Sequence, residues 1–491
     1  MSPVLVAVAL ISCVVLVWIM KNAFVKGNLP PGPTPLPLLG NLLQIKKMKF
    51  VRFLNEMRRR YGNIFTFYLG SRPVLVVSGY QELKDVFYRY GEEFSGRGET
   101  PTFTFFYDGF GFALTSNMKI WRELRRFSMG VLREFGRGKT SIEFIVQEEV
   151  ENLVKEFEKC KESVIDPKET LAKASANVIF YILLGQRFEY DDEDLNKLIH
   201  WTHDTLYRMG SDSGQLSDIV LGFLKHQTGT HKRIFQNMKN MASFMKSRVD
   251  EHQKTLDPSF PRDYTDAFLL KMEQMKDDPD TEYNMKNLIS STLQIFFAGI
   301  ETVSRIMSFA LLLLLKHPDV QEKVHEEIDR VIGRDRRPVY QDRVNMPYTE
   351  AVMHEILRYS DLAPYGIPRT TIQDTEFYGY SIPKGTTTIL LLTTALNDPD
   401  IFPNPKSFKP GNFLDADGNF QKSDAFLAFA AGKRNCLGEN LARIEIFIFL
   451  TTILQSFRLK SPLPLCDINI THVVTGLGNH PKPYTLRFES R

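Results

Sequence analysis

A single large, mainly α-helical domain with a minor β portion is predicted for this chain. Three observations predict it. Apolar residues make up 43% of the 491 and charged residues 24%, the balance of a chain with a sizeable core rather than a disordered one. Six segments (153–160, 171–184, 234–252, 288–316, 320–332 and 347–359) carry helical periodicity or long helix-forming runs. Alternating apolar segments are few and short by comparison.

The elements follow in order. Residues 4–20 are apolar and uncharged, and Lys21 and Lys26 follow them. At about 1.5 Å per residue the run is at the short end for a hydrocarbon core of about 30 Å. It lacks the basic start and small-residue cleavage site of a signal peptide. Residues 1–20 are therefore expected to be an N-terminal transmembrane anchor, and the lysines on its C-terminal side place the body on the cytoplasmic side. Residues 21–41 form a basic, Pro-rich hinge: Leu29-Pro30-Pro31-Gly32-Pro33, then Pro35 and Pro37, make a stiff extended spacer. No linker, repeat or low-complexity run interrupts 42–491. Within it, 64–68 and 74–77 read as strands joined through Gly70-Ser71-Arg72-Pro73. His317-Pro318 stops the longest helix. Short strands are expected near 375–382 and 386–392, and a last helix over 441–457.

Composition excludes several functions. Lys plus Arg is 61 and Asp plus Glu 58, a net charge of +3, too nearly neutral for a broad nucleic-acid face. The 4 cysteines lie far apart with no C-x-x-C pair, against a disulfide framework, a zinc ribbon or clustered iron–sulfur ligands. Any important cysteine acts alone. The 37 Phe beside 3 Trp call for an aromatic core or pocket. His200-x-x-His203 lacks a third ligand and reads as two surface histidines.

One segment concentrates chemistry: Phe429-Ala430-Ala431-Gly432-Lys433-Arg434-Asn435-Cys436-Leu437-Gly438. It is a Gly-containing loop that delivers one Cys just before a helix N-terminus, where backbone N–H groups and the helix dipole favour a thiolate. Gly432 and Gly438 allow the close backbone approach a flat cofactor needs. Arg434 is placed to pair with an anion, and Phe429 to pack on the sulfur side. A buried Cys in an ordinary loop is the competing reading. The pattern F-x-x-G-x-R-x-C-x-G, with all five fixed positions filled, resembles the haem-thiolate loop of the cytochrome P450 family.

Three other motifs extend the resemblance. In Ala298-Gly299-Ile300-Glu301-Thr302 the first and last residues share a helical face. Ala298 leaves room for a small ligand, and the Thr302 hydroxyl beside it can donate a hydrogen bond or tie up a backbone carbonyl. Gly299 costs about 1 kcal/mol against Ala in mid-helix, which points to a close approach. The family pattern implies catalytic roles for Ala298, Gly299, Glu301 and Thr302, although Val303 stands where a second hydroxyl is usual. Glu355 and Arg358, three apart, read on spacing alone as a solvated pair worth a few tenths of a kcal/mol. The resemblance instead implies a buried pair supporting the cofactor loop, with Asn412 where the family usually has Arg. Trp121 and Arg125, four apart, offer two donors on one helical face to a carboxylate. The resemblance makes them haem-propionate ligands together with Arg97, Arg369 and Arg434.

The resemblance covers essentially the whole chain and is nearest the vertebrate microsomal family-2 branch. It implies the cytochrome P450 fold and haem b held by the Cys436 thiolate, which favours O–O cleavage. The implied activity is monooxygenation, one atom of O2 entering a lipophilic small molecule such as a xenobiotic, steroid or fatty acid. No G-x-G-x-x-G unit is present, so electrons from NADPH would come through a separate NADPH–cytochrome P450 reductase, with cytochrome b5 as a further partner. Basic candidates for docking are Arg122, Arg126, Arg133, Lys139 and Lys433. The implied pocket is Phe103, Phe105, Phe106, Phe296, Phe297, Ile300, Ala363, Ile367 and Leu477, apolar bulk suited to lipophilic substrates. The implied location is the endoplasmic reticulum membrane. A haem-thiolate isomerase or dehydratase and a non-catalytic haem-binding protein share the Cys loop and remain as rivals.

Overall fold

The computed structural model describes residues 28–48, 50–98, 101–134, 141–160, 163–210, 229–475 and 478–491. The anchor expected over 1–20 and the start of the hinge lie outside them. The rest of the hinge is extended and ends pinned to the body. Gly40 bridges Leu36 and Leu69, and Tyr68 donates its backbone N–H to Asn41 Oδ1 at 2.7 Å. Gly40 turns with φ +59°, and a Cβ there would lie 2.4 Å from the Tyr68 carbonyl oxygen, so the position requires glycine.

Helices dominate. In chain order they are α1 (Leu42–Met48), α2 (Phe50–Tyr61), α3 (Tyr80–Tyr88), α4 (Pro101–Tyr107), α5 (Met118–Glu134), α6 (Ile142–Lys159), α7 (Lys168–Leu184) and α8 (Glu193–Gly210). There follow α9 (Gly229–Thr255), α10 (Tyr264–Gln274), α11 (Met285–Lys316), α12 (Pro318–Val331), α13 (Pro347–Ser360), α14 (Thr393–Leu396) and α15 (Glu439–Ser456). Boundaries follow local chemistry. The periodic run at 153–160 is only the end of α6, which starts eleven residues earlier, where the Ser141 side chain accepts from Phe144 N. Asn284 caps α11 in the same way, and Pro318 at its other end starts α12.

The 32-residue α11 is the axis of the fold. It packs on α7, α13 and α15, and Val303 through Leu315 are buried on every side. A helix apolar all round must be enclosed. It is long and apolar enough to cross a membrane, but here it lies inside the protein.

The strands are β1 (Ile64–Leu69), β2 (Arg72–Val77), β3 (Gly96–Arg97), β4 (Arg369–Thr370), β5 (Thr375–Phe377), β6 (Tyr380–Ile382) and β7 (Thr387–Leu390). Beyond α15 come β8 (Phe457–Lys460), β9 (His472–Thr475), β10 (Gly478–Pro481) and β11 (Arg487–Ser490). The main sheet runs β1-β2-β7-β4-β3, with β2 and β7 parallel. The strand expected over 375–382 is instead a hairpin. Tyr378 and Gly379, with φ +53° and +79°, reverse the chain between β5 and β6. At the far edge the register sets Arg97 of β3 directly opposite Arg369 of β4, which begins to assemble the site.

Candidate active site

Four arginines converge from four parts of the chain. Arg97 and Arg369 are cross-strand partners, Arg125 lies on α5, and Arg434 lies in the short 3-10 turn before Cys436. Arg434 is buried. Its Nε, Nη2 and Nη1 donate to the carbonyls of Ser95, Thr115 and Phe112 at 2.8, 3.0 and 3.3 Å, and its guanidinium lies 4.4 Å from the centre of the Trp121 ring. Arg97 Nε donates to Ala113 O at 2.8 Å. Arg125 Nη2 donates to both Asn435 O and Asn435 Oδ1, at 2.9 and 2.6 Å. Arg369 lies over the Phe87 ring, with Nη1 buried and unpartnered.

Among the described residues no carboxylate pairs with any of the four. Burial, together with the neighbouring guanidinium groups, pulls Arg97 down to about 10, Arg369 to about 9 and Arg434 to about 8. Clustered buried cations without an anion are costly unless a ligand brings the anion. The donor set therefore fits the carboxylates of haem. Trp121 is buried beneath Arg434, so it supports that arginine as well as flanking the site.

The Cys loop is shaped by backbone packing. Gly432 has φ +70°, and a Cβ there would lie 2.3 Å from the Phe87 carbonyl oxygen. Its close approach is thus to the α3 backbone at Phe87. Gly438 caps α15 and has open space beside it, which does suit a flat group. Cys436 N donates to Phe429 O at 3.0 Å. The thiol lies deep in the protein yet its surface is open, so it borders an internal cleft. Burial pushes the thiol up despite the Gly438 N–H and Arg125, and Glu439 adds to that rise. A metal cation bound to the sulfur would oppose that rise and favour the thiolate.

On α11, Ala298 and Thr302 are exposed although the residues around them are mostly buried. Thr302 Oγ1 donates to Ala298 O at 2.8 Å. Gly299 serves packing: a Cβ there would meet Ile179 Cδ1 of α7 at 2.4 Å. The carboxylate of Glu301 is turned to protein. Oε1 accepts from Arg305, and Oε2 stands 3.2 Å from His203 Nε2. Burial opposes its charge, but His203 and Arg305 win and hold the carboxyl down to about 2. His203 is therefore an internal partner, unlike the exposed His200.

Phe103, Phe106 and Phe297 are half-buried, and the rings of Phe103 and Phe297 meet edge-on at 6.2 Å. Ala363 is half-buried and Ile367 exposed. Phe296 and Ile300 do not join them. At about 100° per residue they lie roughly half a turn round α11 from Ala298, and both are fully buried in the main core, Phe296 against Phe180. Leu477, the side chain of Phe105 and Lys139 lie outside the described residues.

Glu355 and Arg358 are fully buried, so the solvated-pair reading fails. Arg358 donates twice to Glu355 at 2.7 Å and also to the carbonyls of Leu396, Pro405 and Ser407. Asn412 Nδ2 stands 3.2 Å from both Glu355 oxygens, filling the third place without a charge. Of the docking candidates, Arg122 and Lys433 both pair with Glu92. Sequence reasoning missed Asn435, Arg305 and the Glu439–Arg443 pair. Arg305 and Arg443, each four residues after a glutamate on one helical face, carried a readable signal.

Known proteins resemble this chain over nearly its whole length. The family model described as Cytochrome P450 matches residues 30–488. Cytochrome P450 2G1 of Rattus norvegicus is 45% identical over 482 residues, 98% of this chain and 97% of that protein. Cytochrome P450 2C8 of Homo sapiens is 46% identical over 488 residues, 99% of each. Cytochrome P450 2B4 of Oryctolagus cuniculus is 44% identical over 465 residues, 95% and 94% of the two chains.

Proposed function

From the premise that the chain belongs to the cytochrome P450 family, and so is a haem-thiolate monooxygenase, we propose that it oxygenates lipophilic small molecules with electrons from NADPH. The electrons arrive through a separate membrane-bound reductase, and the enzyme acts at the endoplasmic reticulum membrane. Cys436 is the proposed axial ligand. Arg97, Arg125, Arg369 and Arg434 are proposed to receive the two propionates. The bound haem thiolate would supply dioxygen activation by electron donation from sulfur.

The protein's own residues do the rest. Phe103, Phe106 and Phe297 give the cleft an apolar, aromatic wall that excludes water and selects by shape. Thr302 holds a hydroxyl proton on the exposed face of α11, parked on Ala298 O and free to turn toward a ligand. Glu301, clamped by Arg305 and His203, is a positioning residue that ties α8 to α11 and touches no substrate. Phe429 holds the Cys loop through its carbonyl, which accepts the Cys436 N–H, and the Glu355–Arg358–Asn412 group fixes the 396–412 segment that precedes it.

The observation that carries this reading over an isomerase or a carrier is the small-residue, hydroxyl-bearing step at Ala298 and Thr302, open on a mostly buried stretch of helix. The test is turnover in lipid with reductase, NADPH and 18O-labelled dioxygen, across drugs, steroids and fatty acids. The expected result is one labelled oxygen in product, strictly dependent on reductase. Unlabelled, rearranged product formed without reductase would contradict it.

A further inference from the structure

Behind the Cys436 loop stands a fixed charge pair. Arg443 of α15 lies 5.0 Å from the centre of the Phe429 ring and 5.6 Å from that of Phe426. Its Nε and Nη2 both donate to Glu439 Oε1, at 3.1 and 3.0 Å, and its Nη1 donates to His354 Nε2 at 3.0 Å. Accepting there makes His354 Nδ1 the protonated nitrogen, and it donates to Glu350 O at 2.9 Å. The imidazole lies among the rings of Phe413, Phe420 and Phe426. Burial and the adjacent guanidinium hold it down to about 3, so it anchors Arg443 without adding a second cation.

Both charges act on the sulfur side. Glu439 follows Cys436 by three residues at the start of α15. Arg443 backs the ring of Phe429, whose carbonyl accepts the Cys436 N–H. Arg443 is mostly buried, so water screens it poorly.

We propose that the Glu439–Arg443 pair, anchored by His354, holds two opposing charges in balance behind the haem that Cys436 ligates, so that loss of either charge alone shifts its reduction potential. Arg443 and Glu439 are positioning residues: they touch neither substrate nor reacting atoms. The step concerned is uptake of one electron, with no bond made or broken. A nearby cation stabilises the added electron and a nearby anion opposes it, and each partner now masks the other. The proposal rests on Cys436 being the axial ligand.

The test is a spectroelectrochemical titration of the full-length, haem-loaded chain in lipid, with dithionite and dye mediators. Arg443→Gln should disfavour reduction by about tenfold, about 59 mV for one electron. Glu439→Gln should favour it by a comparable factor, Arg443→Lys should stay near the parent protein, and the double variant should return toward it. A role in packing alone would move both single variants the same way, or neither, and that overturns the proposal. If Arg443→Gln does not load haem, Glu439→Gln decides: a shift favouring reduction supports the proposal, and any other result overturns it. Cys436→Ala keeps the readings apart, because a retained thiolate spectrum there would sink the ligand assignment rather than the charge pair.

Discussion

Thr302 and Asp361 show how much one side chain decides. The Thr302 hydroxyl has one acceptor, the carbonyl four residues back, and an open face beside it. Thr302→Ala should lower product formed per NADPH by at least about tenfold, with peroxide rising in proportion and substrate affinity little changed. Thr302→Ser should restore most of the coupling. Unchanged coupling in the alanine variant would remove Thr302 from proton delivery. Asp361, at the end of α13 with φ +44°, accepts from Thr393 through Oδ2, while Oδ1 is buried without a partner. Burial pushes its carboxyl up to about 7, despite Thr393 and Arg358. The folded chain then keeps a proton that the unfolded chain releases near pH 4. Stability from this group falls as pH rises from about 4 to about 7, then stays low. Asp361→Asn should therefore raise Tm more at pH 8 than at pH 5. An equal change at both would show that the carboxyl is not held protonated.

At the scale of elements, α11 and the α13 support group set the site. Gly299 lets α11 approach α7 closely. Alanine there would meet Cδ1 and Cγ1 of the buried Ile179 at 2.4 and 2.6 Å, so Gly299→Ala should lose about 1 kcal/mol, the gain in helix propensity offsetting part of the crowding. Gly299→Val should lose about 1–3 kcal/mol through overpacking. Denaturant midpoints check both, and equal effects would contradict the packing role. Glu355→Ala leaves Arg358 buried and unpaired, an expected loss of about 3–5 kcal/mol with failure to retain cofactor. Asn412→Ala should lose only about 1 kcal/mol. Helices α1 to α4, α8, α10 and α14 were not read from the sequence, whereas α6, α7, α9, α11, α12, α13 and α15 were legible from periodicity or helix-forming runs, because long apolar repeats leave few alternatives. Their ends were less so: Ser141 and Asn284 start helices through single hydrogen bonds that carry no periodic signal.

At the scale of the molecule, the site is an assembly of distant pieces. The Cys loop was readable because its contacts are local. Arg125 and Arg434 were legible from their spacing as donors to an anion, but Arg97 and Arg369 only through family resemblance, since the sheet register that joins them spans most of the chain. Resemblance also misplaced Phe296 and Ile300, because a pocket position depends on which way a helix faces. The inward turn of Glu301 toward His203 arises from how α8 packs on α11, which no local pattern records. All these parts serve one arrangement: a single cysteine at the head of α15 and four guanidinium groups that have no carboxylate partner among the described residues. The most direct test is the ferrous carbon monoxide spectrum of the full-length chain, with each of the four cysteines changed to alanine in turn. The red-shifted thiolate band should survive at Cys13, Cys160 and Cys466 and disappear at Cys436. A band that survives in Cys436→Ala would contradict the account.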